Sequence, residues 1–119
     1  MKIAVPTDSK KGLADTVAEH FGRCLTYTFL DEKGDILEII ENTAGHTEGS
    51  GLPPQLIRER GADVLLCRDL GPRALNLCRE LGIKVYVFKA ETVRDIFNLW
   101  GRNQAKEASD EAVCEEHKL

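Results

Sequence analysis

The sequence lacks any apolar run long enough to cross a membrane. Its first such stretch, Ile3-Ala4-Val5, stops at Pro6, far short of the roughly 20 residues a spanning helix needs and of a signal peptide's apolar segment. It also lacks an excess of positive charge: 16 Lys and Arg stand against 20 Asp and Glu, a formal net charge of −4. Nucleic-acid binding rests on a basic face that neutralises phosphates. An anionic membrane surface asks for a basic amphipathic stretch. Neither is present, so neither partner is expected. Cysteine is sparse and unpaired in spacing. Cys24, Cys67, Cys78 and Cys114 form no zinc-ribbon or thioredoxin-like pattern. Free thiols in a cytoplasmic protein are the expectation. No P-loop, three-glycine dinucleotide fingerprint or Gly-x-Ser-x-Gly elbow occurs, and there is no internal repeat or linker.

What is present describes one soluble domain. The chain has 119 residues, 42% hydrophobic and 30% charged, enough to bury a core without staples. Lys2–Pro6 reads as a buried strand. Leu25, Tyr27 and Phe29 alternate with polar neighbours as a second, and the turn at residues 31–35 leads to a third over Ile36–Glu41, making an antiparallel hairpin. Pro53-Pro54 starts a helix that Gly61 ends. Val64–Cys67 is a fourth strand. Gly71-Pro72 opens a helix with Ala74, Leu77, Cys78 and Leu81 on one face, ended by Gly82, and Val85–Phe88 is a fifth strand. Thr92 and Asp95 form a capping pair before Val93, Ile96, Phe97 and Trp100, with Gly101 closing that helix. Residues 102–119 read as a charged tail or marginal helix after a domain spanning residues 1–101. An antiparallel meander followed by right-handed αβ units predicts a single α/β domain. Its mixed five-stranded sheet has the order 3-2-1-4-5 and three flanking helices.

That topology gathers Asp8, His20, Cys24, His46, Cys67 and Asp69 on one edge, where open α/β sheets take their ligands. In His20-Phe21-Gly22-Arg23-Cys24 an imidazole and a thiol flank a tight bend, and Arg23 suits an anion. Imidazole and thiolate favour iron, copper or zinc over magnesium or calcium, so His20, Cys24 and Cys67 are the candidate metal ligands. The alternative is a surface histidine beside a half-buried thiol. His46 sits in a Gly- and Thr-rich loop that reads either as a flap or as a polar connection. Gly71 opens a helix whose N–H groups face any anion at the edge. Cys78 belongs to the helix's apolar stripe and reads as core. Cys114 and His117 share the spacing of one helical turn on the tail. Asp8, Asp15 and Asp69 are the only candidate carboxylate set for a metal-dependent hydrolase.

The residues resemble those of the dinitrogenase iron–molybdenum cofactor-binding (NifX-like) family. The marks are Met1–Thr7, Glu19-His20-Phe21-Gly22-Arg23, Glu41-Asn42 with a His-containing loop, and Gly61-Ala62-Asp63-Val64-Leu65. Gly71-Pro72-Arg73-Ala74, Gly82-Ile83 and Thr92-Val93 complete the series. The resemblance implies a ribonuclease H-like fold. It also implies binding or carriage of an iron–sulfur cluster or iron–molybdenum cofactor precursor, by an accessory protein that is not itself an enzyme. Cofactor-assembly or acceptor proteins are the implied partners and His20 the implied cluster contact, with Phe21, Gly22, Arg23, His46 and Gly71 around the cargo. The Cys-x-x-x-Cys-x-x-Cys motif of the related radical enzyme is missing, and Cys67-Arg68-Asp69 stands where members often carry small residues. A protein-interaction module without cargo and a metal-dependent hydrolase are the competing classes.

Overall fold

In the computed structural model, which describes residues 1–43 and 52–110, five strands and three helices follow in the order β1 (Ile3–Thr7), β2 (Thr26–Leu30), β3 (Ile36–Glu41), α1 (Pro53–Glu59), β4 (Val64–Cys67), α2 (Pro72–Glu80), β5 (Lys84–Val87) and α3 (Val93–Asp110). The sheet order is β3-β2-β1-β4-β5. β1 pairs antiparallel with β2 and parallel with β4, β2 pairs antiparallel with β3, and β4 pairs parallel with β5. The predicted α/β class, strand order and helix number are all observed.

Strand alternation divides the core in two. Ala4, Tyr27, Phe29, Leu65 and Cys67 face α1 and α2, where Ile57 and Cys78 meet them. Ile3, Val5, Leu30, Val64 and Leu66 face α3, against Val93, Ile96 and Trp100. Each large side chain buried this way contributes on the order of 1.5–3 kcal/mol.

Three local expectations are corrected. Leu25 does not join the inward row but is 68% exposed. The ladder with β1 begins at the Thr7–Thr26 pair, one residue later, and all five residues of β2 are buried because both its faces are covered. β5 runs one residue earlier than read. Gly101 does not close α3, which continues to Asp110. Gly61 and Gly82 end their helices with φ of 91° and 80°, whereas Gly101 takes no positive φ, so nothing turns the chain there. Residues 102–110 therefore extend a packed helix.

Asp15 also departs from the expected loop carboxylate. It is 1% exposed. Its carboxylate accepts hydrogen bonds from Ser9 Oγ at 2.7 Å, Thr16 N at 2.8 Å, Ser9 N at 3.2 Å and Lys11 N at 3.3 Å. Its backbone carbonyl accepts Val93 N at 3.0 Å, tying the loop after β1 to the start of α3. Asp8 and Asp69 remain exposed, and among the described residues no three His, Cys, Asp or Glu side chains gather to hold a metal. Asp15→Ala should lower stability by about 2–3 kcal/mol, seen as a fall in urea midpoint at an unchanged m-value. A loss under about 0.5 kcal/mol, the usual effect of a surface substitution, would contradict this account.

Candidate functional site

The segment between β1 and β2 crosses the carboxyl edge of the sheet, held by backbone bonds from both sides. Ala18 N donates to Pro6 O at 2.8 Å and Val17 N to Glu91 O at 2.8 Å. Phe21 N donates to Asp69 O at 3.0 Å, joining the segment to the loop after β4. Phe21 then turns inward and stacks against Tyr27, ring centroids 5.9 Å apart. Gly22 has φ of +96°, and a Cβ there would stand 3.3 Å from the Pro53 ring. Only glycine meets both demands. With the aromatic anchored below and the glycine turning against α1, His20 and Arg23 are left exposed on the outside.

His20 Nδ1 lies 3.1 Å from Asp69 Oδ2, the two side chains 51% and 64% exposed. A carboxylate at Nδ1 holds the proton there and turns the Nε2 lone pair outward, the arrangement that orients histidine ligands in metal sites. Gly71 is the residue before α2's first turn, with open space where a Cβ would be, so a ligand can approach the backbone.

The cysteines lie beneath this surface. Cys24 is 4% exposed, and Cys67 and Cys78 are fully buried. Burial pushes the Cys24 thiol up. Cys67 is raised to about 12, first by burial and then by the neighbouring Cys78 and Asp69, and burial alone raises Cys78 to about 11. The Tyr27 hydroxyl sits beside Cys24 without a well-aligned hydrogen bond and is likewise pushed up by burial. Thiolates are the metal-binding form of cysteine, and these thiols hold their protons at neutral pH. A cavity of about 450 Å³ lined by Asp8, Ser9, Lys10, Cys24, Thr26 and Asn42 opens beside Cys24 alone of the three.

The edge thus brings together His20, Arg23 and Asp69 on the surface, with Cys24 and Cys67 under it. His46, Cys114 and His117 lie outside the described residues. Sequence reasoning assigned no role to Asn42, a buried clamp on the loop. Its Nδ2 donates to Cys24 O at 2.9 Å and Gly22 O at 3.2 Å, and reaches Cys24 Sγ at 3.8 Å. The available signal was an amide directly after an edge strand and opposite the bend.

Two outcomes follow. The folded state holds the Cys67 and Cys78 protons more tightly than the unfolded chain does. Their contribution to stability is therefore complete below about pH 9, the ordinary value of 9.0, and is lost as pH rises through about 11 and 12. Urea midpoints followed from neutral to strongly alkaline pH should fall over that window, less steeply in Cys67→Ala; a slope unchanged by that substitution would count against it. In the neutral imidazole, ¹⁵N shifts should report the Nδ1–H tautomer of His20 in the native chain and mainly Nε2–H in Asp69→Ala. The same tautomer in both would remove the orienting role of Asp69.

The geometry stands beside several similarities. The sequence pattern of the family described as "Dinitrogenase iron-molybdenum cofactor" matches residues 1–103. An uncharacterised protein of Methanocaldococcus jannaschii is 33% identical over 105 residues, covering 84% of this chain and 85% of its own. The crystal structure of the protein PH0822 superposes with a TM-score of 0.67 at 29% identity, covering 84% of this chain and 89% of that one. The NMR structure of a candidate NifB protein from Thermotoga superposes with a TM-score of 0.66 at 26% identity, over 85% and 87%. With its match extending from the first residue into α3, the chain belongs to the dinitrogenase iron-molybdenum cofactor family.

Proposed function

We propose that this protein binds and carries an anionic iron–sulfur cluster or iron–molybdenum cofactor precursor as cargo, delivering it to a cofactor-assembly or acceptor protein without catalysing a reaction itself. The observation that carries the reading is the His20–Asp69 pair at 3.1 Å on the open sheet edge, which offers one oriented imidazole to an incoming metal. Arg23 and the backbone N–H groups near Gly22 and Gly71 supply charge and hydrogen bonds to an anionic cluster.

The donor set suits cargo better than a resident cluster. Protein-held iron–sulfur clusters use several cysteine thiolates, whereas the described thiols here are buried and protonated. A cluster that arrives with its own sulfides needs only one protein ligand and a complementary charge, and a single ligand also eases release. Cys24 and Cys67 stand in reserve beneath the loop, able to ligate if the bend lifts and a metal displaces their protons. The apolar side chains of Leu25 and Leu52, 68% and 54% exposed, flank the bend and suit contact with an acceptor. The same reading assigns the chain a ribonuclease H-like fold, a cofactor-binding domain over residues 1–101 with the charged segment 102–119 following it, and a cytoplasmic setting in which its thiols stay reduced. No helix among the described residues is long and apolar enough to cross a membrane.

The test is anaerobic incubation of the apo protein with ferrous iron and sulfide, removal of excess, and measurement of visible charge-transfer absorption eluting with the protein. Wild type should retain colour, His20→Ala should lose most of it, and Asp69→Asn should bind about tenfold more weakly. Colour indifferent to His20 would move the site toward the cysteines. No colour in any variant, combined with retention of a partner protein on the immobilised chain, would favour an interaction module instead.

A further inference from the structure

Across the sheet from His20, the ends of β4 and β5 and the first turns of α3 border a second, open cavity of about 510 Å³. Its polar lining is Arg68, Lys89, Glu91, Asp95, Asn98 and Arg102, with Ala90 and Leu99 as apolar wall. We propose that this cavity binds a small organic phosphate, a phosphate monoester on a hydroxylated carbon skeleton such as a sugar phosphate or a mononucleotide.

Strand alternation separates the two sites. Leu65 and Cys67 pack with the α1–α2 face and Leu66 with the α3 face. The alternation continues past the strand end, with Asp69 reaching His20 and Arg68 lining the cavity beside α3. Arg68 belongs to the Cys67-Arg68-Asp69 step at the end of β4, and the cargo reading leaves it without a role. The new site therefore stands or falls independently of that reading.

The charges point to the ligand class. Among the described residues four cations are paired: Lys2 and Arg60 with Glu38, Lys10 with Glu41, and Arg58 with Asp63. Arg68, Lys89 and Arg102 have no ion-pair partner among the described residues, in a chain with more acids than bases, although two carboxylates line the same cavity. Three like charges around one concavity repel each other, and a cleft focuses their field on whatever enters it. A phosphate dianion relieves that repulsion, and two guanidinium forks match its oxygens. The remainder of the ligand follows from size and lining. The volume falls within the 300–1,000 Å³ typical of small-molecule sites and far exceeds a bare phosphate. Glu91 and Asp95 repel a second anionic group but accept hydrogen bonds from hydroxyls, as does the Asn98 amide.

The test is titration of the ¹⁵N-labelled full chain with ribose 5-phosphate, adenosine monophosphate, inorganic phosphate and ribose. At least one organic phosphate should bind saturably, in the millimolar range or tighter, and shift amides near Arg68, Lys89–Glu91 and Asp95–Arg102. Tighter binding of the nucleotide would identify a base contact, and tighter binding of the sugar phosphate a site confined to the phosphate and hydroxyls; either supports the proposal. Lys89→Gln with Arg102→Gln, both at exposed positions, should weaken binding by about tenfold or more, with Arg68→Gln as an independent check. No saturable shift with either organic phosphate would overturn the assignment. So would affinity unchanged in these variants, or inorganic phosphate or ribose binding as tightly as the organic phosphates.

Discussion

Strand β1 is the constraint from which the rest of this structure is laid out. It pairs antiparallel with β2 on one side and parallel with β4 on the other, and every one of its residues is buried. Because its two neighbours run in opposite directions, the loop leaving β1, the approach to β2 and the end of β4 all meet on one edge. The backbone bonds of Ala18 to Pro6 and Phe21 to Asp69 then fasten the bend across that edge. A strand buried on both faces cannot slip by one residue without exposing one apolar row and burying the wrong one, so the edge is held in register by the core beneath it.

Burial also sorts the chemistry of that edge. The polar ends of the bend, His20 and Arg23, stay in water because Phe21 and Gly22 occupy the space below them. The thiols go the other way, into an apolar layer where a thiolate would be costly. The same step in the chain therefore offers an imidazole outward and withholds its cysteines. Under the proposed carrier role, this arrangement suits a loosely held anionic cargo better than a permanently ligated cluster. Asp69 links the two layers: its carbonyl holds the bend and its carboxylate orients the histidine.

Much of this was legible because it depends on local periodicity. Proline at two helix starts, glycine after two helix ends and the apolar stripes of α2 and α3 each reflect forces acting within a few residues. The errors arose where a distant partner decides. Leu25 follows the alternating pattern of a strand, yet the sheet begins one residue later because β1 ends opposite Thr26. Gly101 looks like a stop, but packing of Phe97 and Trp100 carries α3 through it. Asp15 and Asn42 resemble ordinary loop polars, and only the fold reveals that one gathers four donors and the other clamps the bend.

By itself the sequence determined the class of the protein and the order of its strands, since hydrophobic period and chain direction are written residue by residue. Tertiary structure alone decided which of those side chains face solvent. Exposure depends on what covers a residue from elsewhere in the chain, and it separates the exposed His20 and Asp69 from the buried Cys24 and Cys67. The same long-range packing turned Arg68 and Asp69, adjacent in sequence, toward opposite faces of one sheet.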